Sequence, residues 1–130
     1  MAKWTRKKCF DHYGVDYGNE RWSWSGRSAD GSVVAMTFWQ GELSVKDGRF
    51  SYASRPRREE KRRPGGTERL RNLQWARDHC DGIVRVVMAI AKDPSADTRE
   101  AKSWTVRDDL LMRVTSIDES TGAFTAEGPA

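Results

Sequence analysis

Asp78, His79 and Cys80 stand side by side: a carboxylate, an imidazole and a thiol, the parts of a Cys–His nucleophilic site. Their surroundings have helical spacing, and neighbours on a helix point about 100° apart, so these three do not readily hydrogen-bond one another. Cys80 also falls on the apolar side of that helix, where a buried thiol is the ordinary outcome. Cys9 and His12 have a C-x-x-H spacing, and with His79 and Cys80 they make four potential zinc ligands. Adjacent ligands on one helix suit tetrahedral zinc poorly. No G-x-S-x-G, H-E-x-x-H or P-loop pattern occurs. The expectation is a chain that is not an enzyme, with no catalytic residue, no metal and no cofactor.

Binding chemistry is better represented. Trp22, Trp24 and Trp39 crowd into one short stretch, and Tyr52 follows in the next apolar segment. Aromatics gathered this way fill a core, or they form a flat pocket that stacks on a planar ligand such as an extruded base. Asp78 or Asp81 is a candidate acceptor for the amino group of a cytosine, as acidic side chains are. A second group is basic. Arg55, Arg57, Arg58, Lys61, Arg62 and Arg63 lie in a segment without apolar residues apart from its prolines, and Arg69 and Arg71 follow. Such a run either follows a phosphate backbone or is simply a solvated charged loop, here diluted by Glu59 and Glu60. Lys3, Arg6, Lys7 and Lys8 add a smaller basic group near the start.

The elements that must position these groups can be read from periodicity. Residues 4–13 read as a short helix stopped by Gly14. Residues 22–26 and 32–40 read as antiparallel strands joined through Ser28-Ala29-Asp30-Gly31, Asp-Gly being favoured where a turn needs positive φ. Alternation puts Val34, Met36 and Phe38 on one face of the second strand and Val33, Ala35, Thr37 and Trp39 on the other. Both faces are apolar, so both should be covered. A further strand pair surrounds Asp47-Gly48. Leu70, Leu73, Ala76, Arg77 and Cys80 recur at three- and four-residue steps, predicting a helix capped by Thr67 and stopped at Asp81-Gly82. Residues 83–91 are nearly all apolar and read as a central strand. Residues 92–106 read as an irregular connection with room for a short helix, and 109–117 with 123–127 as a closing hairpin.

This order gives a single α+β domain: a curved, mainly antiparallel sheet or a small β-barrel, with one main helix. Its parts are an N-terminal helical arm (1–20), β-hairpins (21–54), a basic flexible loop (55–66), a helix (67–81) and strands (83–127). The length of 130 residues fits one domain. A net charge of +4 and a pI of about 9.3 favour a polyanionic partner. Two cysteines are too few for a disulfide framework, and no apolar run is long enough to span a bilayer, so the reading is cytoplasmic with no membrane partner.

The stretches WSWSGRSADGSVVAMTFWQGEL, LQWARDHCDGIVRVVMAIAKDPSADTREAKSW and LLMRVTSIDESTGAFTAE together resemble a group of small bacterial proteins, Streptomyces-type readers of 5-methylcytosine in DNA. The resemblance spans roughly residues 22–127 and rests on overall texture. It implies a DNA-binding protein without a nuclease of its own, associated with the nucleoid, on a fold of the SRA-like or PUA-like kind. In that reading the pocket is Trp22, Trp24, Trp39 and Tyr52 with Asp78 or Asp81, and the basic loop with Arg69 holds phosphates of double-stranded methylated DNA. The competing readings are a single-stranded RNA-binding module, a small Cys–His enzyme and a peptide-docking module.

Overall fold

The computed structural model describes residues 4–16, 25–54, 64–92, 101–120 and 122–130, the side chains of 64–67 excepted. Helix α1 spans Arg6–His12. Thr5 caps it, its hydroxyl accepting from the Lys8 amide at 3.2 Å, and Gly14 ends it at φ +68. Strands β1 (Ser25–Arg27) and β2 (Val34–Trp39) follow, then a 3-10 turn at Gln40–Glu42. Strands β3 (Leu43–Lys46) and β4 (Arg49–Ala53) form a hairpin. Its turn has positive φ at both Asp47 and Gly48, the two-residue form whose twist matches that of paired strands. Helix α2 is Pro64–His79, and β5 (Ile83–Ala91), β6 (Ala101–Ile117) and β7 (Phe124–Gly128) complete a seven-stranded sheet. The described residues form a single α+β domain with two helices.

The strand order is β1-β2-β5-β6-β7-β4-β3, antiparallel everywhere except between β2 and β5. That one parallel pair follows from the crossover through β3, β4 and α2. The order also forces curvature. In a flat sheet β2 and β3 would stand five strand spacings apart, roughly 24 Å. Yet only four Cα steps separate Trp39 from Leu43, which reach at most about 15 Å. The sheet therefore curls until Phe38 of β2 meets Tyr52 of β4 at 4.7 Å and Phe124 of β7 at 6.0 Å between ring centroids. Register shifts at Arg85/Val87 and Ile90/Ala91 of β5, and at Val114/Ser116 of β6, supply local bends. Among the described residues no ladder joins β3 to β1 or β2, so the sheet is open and the barrel alternative is not formed.

Two apolar cores lie on opposite faces. The inner one holds Val34, Met36 and Phe38 of β2 with Leu73 and Ala76 of α2, and Tyr52, Met112 and Phe124. A buried tie from Asn72 Nδ2 to Ser25 Oγ, 2.8 Å, fixes α2 to β1. The outer one packs Cys9, Phe10 and Val15 from the α1 segment on Ala35 and Val87, with Trp104 and Val106 at its margin. All six residues of β2 are buried, as its two apolar faces require. Tyr13 completes the outer layer: its hydroxyl donates to the Val86 carbonyl at 2.8 Å, where the β5–β6 ladder is interrupted.

Two boundaries differ from the sequence reading. Residues 101–106 are strand, not irregular connection, because they pair with β5 from Val87 to Ala91. Helix α2 begins at Pro64 and not after Thr67, because proline's fixed φ suits the first helical position and carries the glycine pair into the first turn. Among the described residues, no helix is long and apolar enough to cross a membrane.

Candidate functional site

The four expected pocket residues that are described, Trp39, Tyr52, Asp78 and Asp81, do not converge. Trp39 points to the outer face, whereas Tyr52 packs in the inner core against Phe38 and Phe124. One hydrogen bond links them, the Trp39 amide donating to the Tyr52 hydroxyl at 3.2 Å, and that hydroxyl donates on to Glu42 at 2.7 Å. The link runs through backbone and leaves the two rings on opposite sides of the sheet. Asp78 and Asp81 lie at the C-terminal end of α2, on the inner-face layer, away from Trp39. Asp78 is exposed and paired with Arg77 at 2.9 Å, which lowers its pKa. Asp81, at φ +56, meets Arg113 at 3.3 Å across the turn that ends the helix. Trp22, Trp24, Arg55, Arg57, Arg58, Lys61, Arg62 and Arg63 lie outside the described residues.

Arg69 is buried, 8% exposed; it donates to the Gly122 carbonyl at 3.3 Å and its guanidinium lies 5.7 Å from the Phe124 ring centroid. A guanidinium turned inward in this way does not face a phosphate backbone. The parts of a Cys–His site also point apart. His79 lies against Trp75, ring centroids 3.9 Å apart, while the Cys80 thiol donates to the Gly31 carbonyl at 3.4 Å. Burial raises the Cys80 pKa. Cys9 is fully buried and its thiol is pushed up to about 11 by that burial, while His12 reaches Asp108 at 2.7 Å on the surface. Among the described residues, no group of three or more His, Cys, Asp or Glu gathers as metal ligands would.

What the outer face does assemble is a short aromatic row. Trp39 on β2, Ala89 on β5 and Trp104 on β6 stand in register across three adjacent strands. The two indoles lean together over the small Ala89, centroids 6.5 Å apart and planes at 50°, so they form a wedge. Trp39 is buried and Trp104 only partly so. Thr37 is two residues back along β2, on the same face and in register with Val87. Its hydroxyl is buried, the residue 3% exposed, and among the described residues it has no hydrogen-bond partner. A buried hydroxyl left this way costs about 1–3 kcal/mol, and such groups in folded proteins call for an explanation. Lys92 and Lys102, both exposed, lie where β5 ends and β6 begins, at the Trp39–Trp104 end of the row.

Strand alternation already groups Thr37 with Trp39, but the sequence reading passed over Thr37, Ala89 and Trp104. The usable signal for Trp104 is the alternation Trp104, Val106 ahead of a clear strand, which marks a half-buried face. Ala89 has none, since its importance lies in its register between two indoles. No known protein family, curated protein or solved structure matches this chain.

Proposed function

We propose that this chain is a reader of a modified base in double-stranded DNA, 5-methylcytosine being the reference ligand, and that the base enters at Trp104. The observation that carries this reading is the unpartnered Thr37 hydroxyl beside two indoles on one sheet face. Proteins that take a base out of the stack hold it on aromatic faces and hydrogen-bond its polar edge. Here Trp104 offers the partly accessible ring, Trp39 backs it, and Thr37 adds a polar group to the same face. A rotation of Trp104 away from Trp39 opens the wedge, a side-chain change of the kind common on binding. Lys92 and Lys102 stand where flanking phosphates would run, and the basic residues between Arg55 and Arg63 add charge to a chain of net +4. In this role the protein works in the cytoplasm, on the nucleoid, without cutting DNA. The likeness to Streptomyces-type methylcytosine readers with SRA-like or PUA-like folds belongs to the same proposal.

Fluorescence anisotropy with three oligonucleotides of one sequence tests it: methylated duplex, plain duplex and single-stranded RNA, each over a range of salt. The expected order puts methylated duplex first, with Trp104→Ala losing at least tenfold in affinity while keeping the native circular dichroism spectrum. Base–aromatic stacking is worth about 1–3 kcal/mol per base, which sets that loss. Equal affinity for methylated and plain duplex defeats the reading, and tighter binding of the RNA replaces it with an RNA-binding module.

A further inference from the structure

The Thr37 hydroxyl needs a polar partner, and a methyl group is not one. Along β2 its same-face neighbours are Ala35 and Trp39, and across the ladder it stands beside Val87, with Val106 beyond. Among the described residues this hydroxyl has no partner, its ladder and same-face neighbours are apolar, and the residue is 3% exposed. Further along the same face the only small side chain between the indoles is Ala89, fully buried at the foot of the wedge. Once Trp104 turns away from Trp39, a substituent on the stacked base that points into the sheet meets first Ala89, the small residue of the row, and then Thr37, two residues back along β2 from Trp39.

Two substituents of nearly equal size behave differently there. A methyl packs on Ala89, a gain of about fourfold in affinity from its buried surface, and leaves Thr37 unpaired. A hydroxymethyl has the same carbon and adds an O–H that donates to Thr37 Oγ1 or accepts from it. That bond removes an unsatisfied group on the protein, and pairing such a group is the larger effect, about tenfold or more. Matching a polar substituent with a hydroxyl built into an otherwise apolar site is also how sites discriminate most strongly, because the analogue lacking the group leaves the site unpaired.

We infer that Thr37 reads the ring substituent, and that the preferred ligand is a pyrimidine carrying a hydroxymethyl group at C5, above the methylated base. The inference rests on the base-reading proposal, and its experiment separates the two. One duplex sequence is prepared with cytosine, 5-methylcytosine or 5-hydroxymethylcytosine at a single position, and each is titrated by anisotropy with the wild type, Thr37→Val and Thr37→Ser. The wild type should bind hydroxymethyl at least tenfold tighter than methyl, and methyl tighter than cytosine. Thr37→Val should reverse the first preference, and Thr37→Ser, which keeps the hydroxyl, should retain it. If the wild type prefers methyl to hydroxymethyl while still rejecting cytosine, this inference fails and the reader stands. If all three duplexes bind alike, both fail. Retention of the hydroxymethyl preference by Thr37→Val, or its loss in Thr37→Ser, removes Thr37 from the recognition. A thermal melt of each variant confirms folding, and Thr37→Ser decides the matter should Thr37→Val be unfolded.

Discussion

Replacing Thr37 by valine should make the protein more stable and a poorer binder. The two side chains have nearly the same shape, so the swap exchanges a buried hydroxyl for a methyl without opening a cavity. Among the described residues that hydroxyl has no partner, and Thr37 is 3% exposed. Its desolvation costs about 1–3 kcal/mol, and the added methyl gains about 0.8 kcal/mol of buried apolar surface. Valine also favours the strand. Allowing for imperfect fit, a gain of roughly 1–2 kcal/mol is expected, which for a domain of 130 residues raises Tm by about 3–8 °C. Urea denaturation followed by tryptophan fluorescence measures it, with the midpoint moving up and the slope unchanged. Affinity for the hydroxymethylated duplex should fall by about tenfold in the same variant. A loss of 1 kcal/mol or more on substitution refutes the reasoning, since it would mean the hydroxyl has a partner in the folded state. Higher stability with unchanged binding would leave the hydroxyl a packing flaw unrelated to ligand.

Four further outcomes follow from the packing and the titrating groups. Gly31→Ala should cost about 1–3 kcal/mol in urea denaturation, because Gly31 has φ +74 and a Cβ there would lie 2.7 Å from the Trp75 ring. Phe38→Ala should cost about 3–5 kcal/mol by the same measurement, since this fully buried ring joins β2 to Tyr52 and Phe124. Stability should fall at alkaline pH. Burial raises Cys9 to about 11 and Tyr13 to about 12, so each favours folding below its unfolded value, near 8.5 and 10, and that contribution is lost as pH rises through the folded value. Denaturation midpoints from pH 8 to 12 check this, with a slope near 1.4 kcal/mol per unit for each group titrating, and a flat profile contradicts it. Thiol labelling of the native protein should modify Cys80 ahead of Cys9, read by peptide mass, because Cys80 is partly exposed and Cys9 is not.

Local chemistry made much of the fold legible. Asp47-Gly48 announces a two-residue hairpin, and both residues take the positive φ that such a turn needs. The apolar run Ile83–Ala91 announces a strand paired on both sides, and β2 and β6 flank it. The same local reading stops at residues 101–106, which become strand only because β5 offers them a partner. The site was legible in proportion to its dependence on alternation. Alternation places Thr37 and Trp39 on one face, but it does not say that Trp104 stands two strands away, which is a matter of strand order. Tyr52 misleads for the reciprocal reason: a period of two tells which residues share a face, and only the curl of the sheet tells which face is inside. Arg69 looks like a surface cation by type and lies in the interior because α2 presents it to Phe124.

The place of β7 has a consequence for how the chain acquires its shape during synthesis. It is the last strand in sequence, yet it lies between β6 and β4, and among the described residues it carries the strand pairing that joins the β3–β4 hairpin to the rest of the sheet. The hairpin forms early and locally, then waits with an unpaired edge while more than half the chain is made. Until Phe124–Gly128 leaves the ribosome, the hairpin has no strand beside β4 in the finished sheet, and that interval is when chaperone protection counts most.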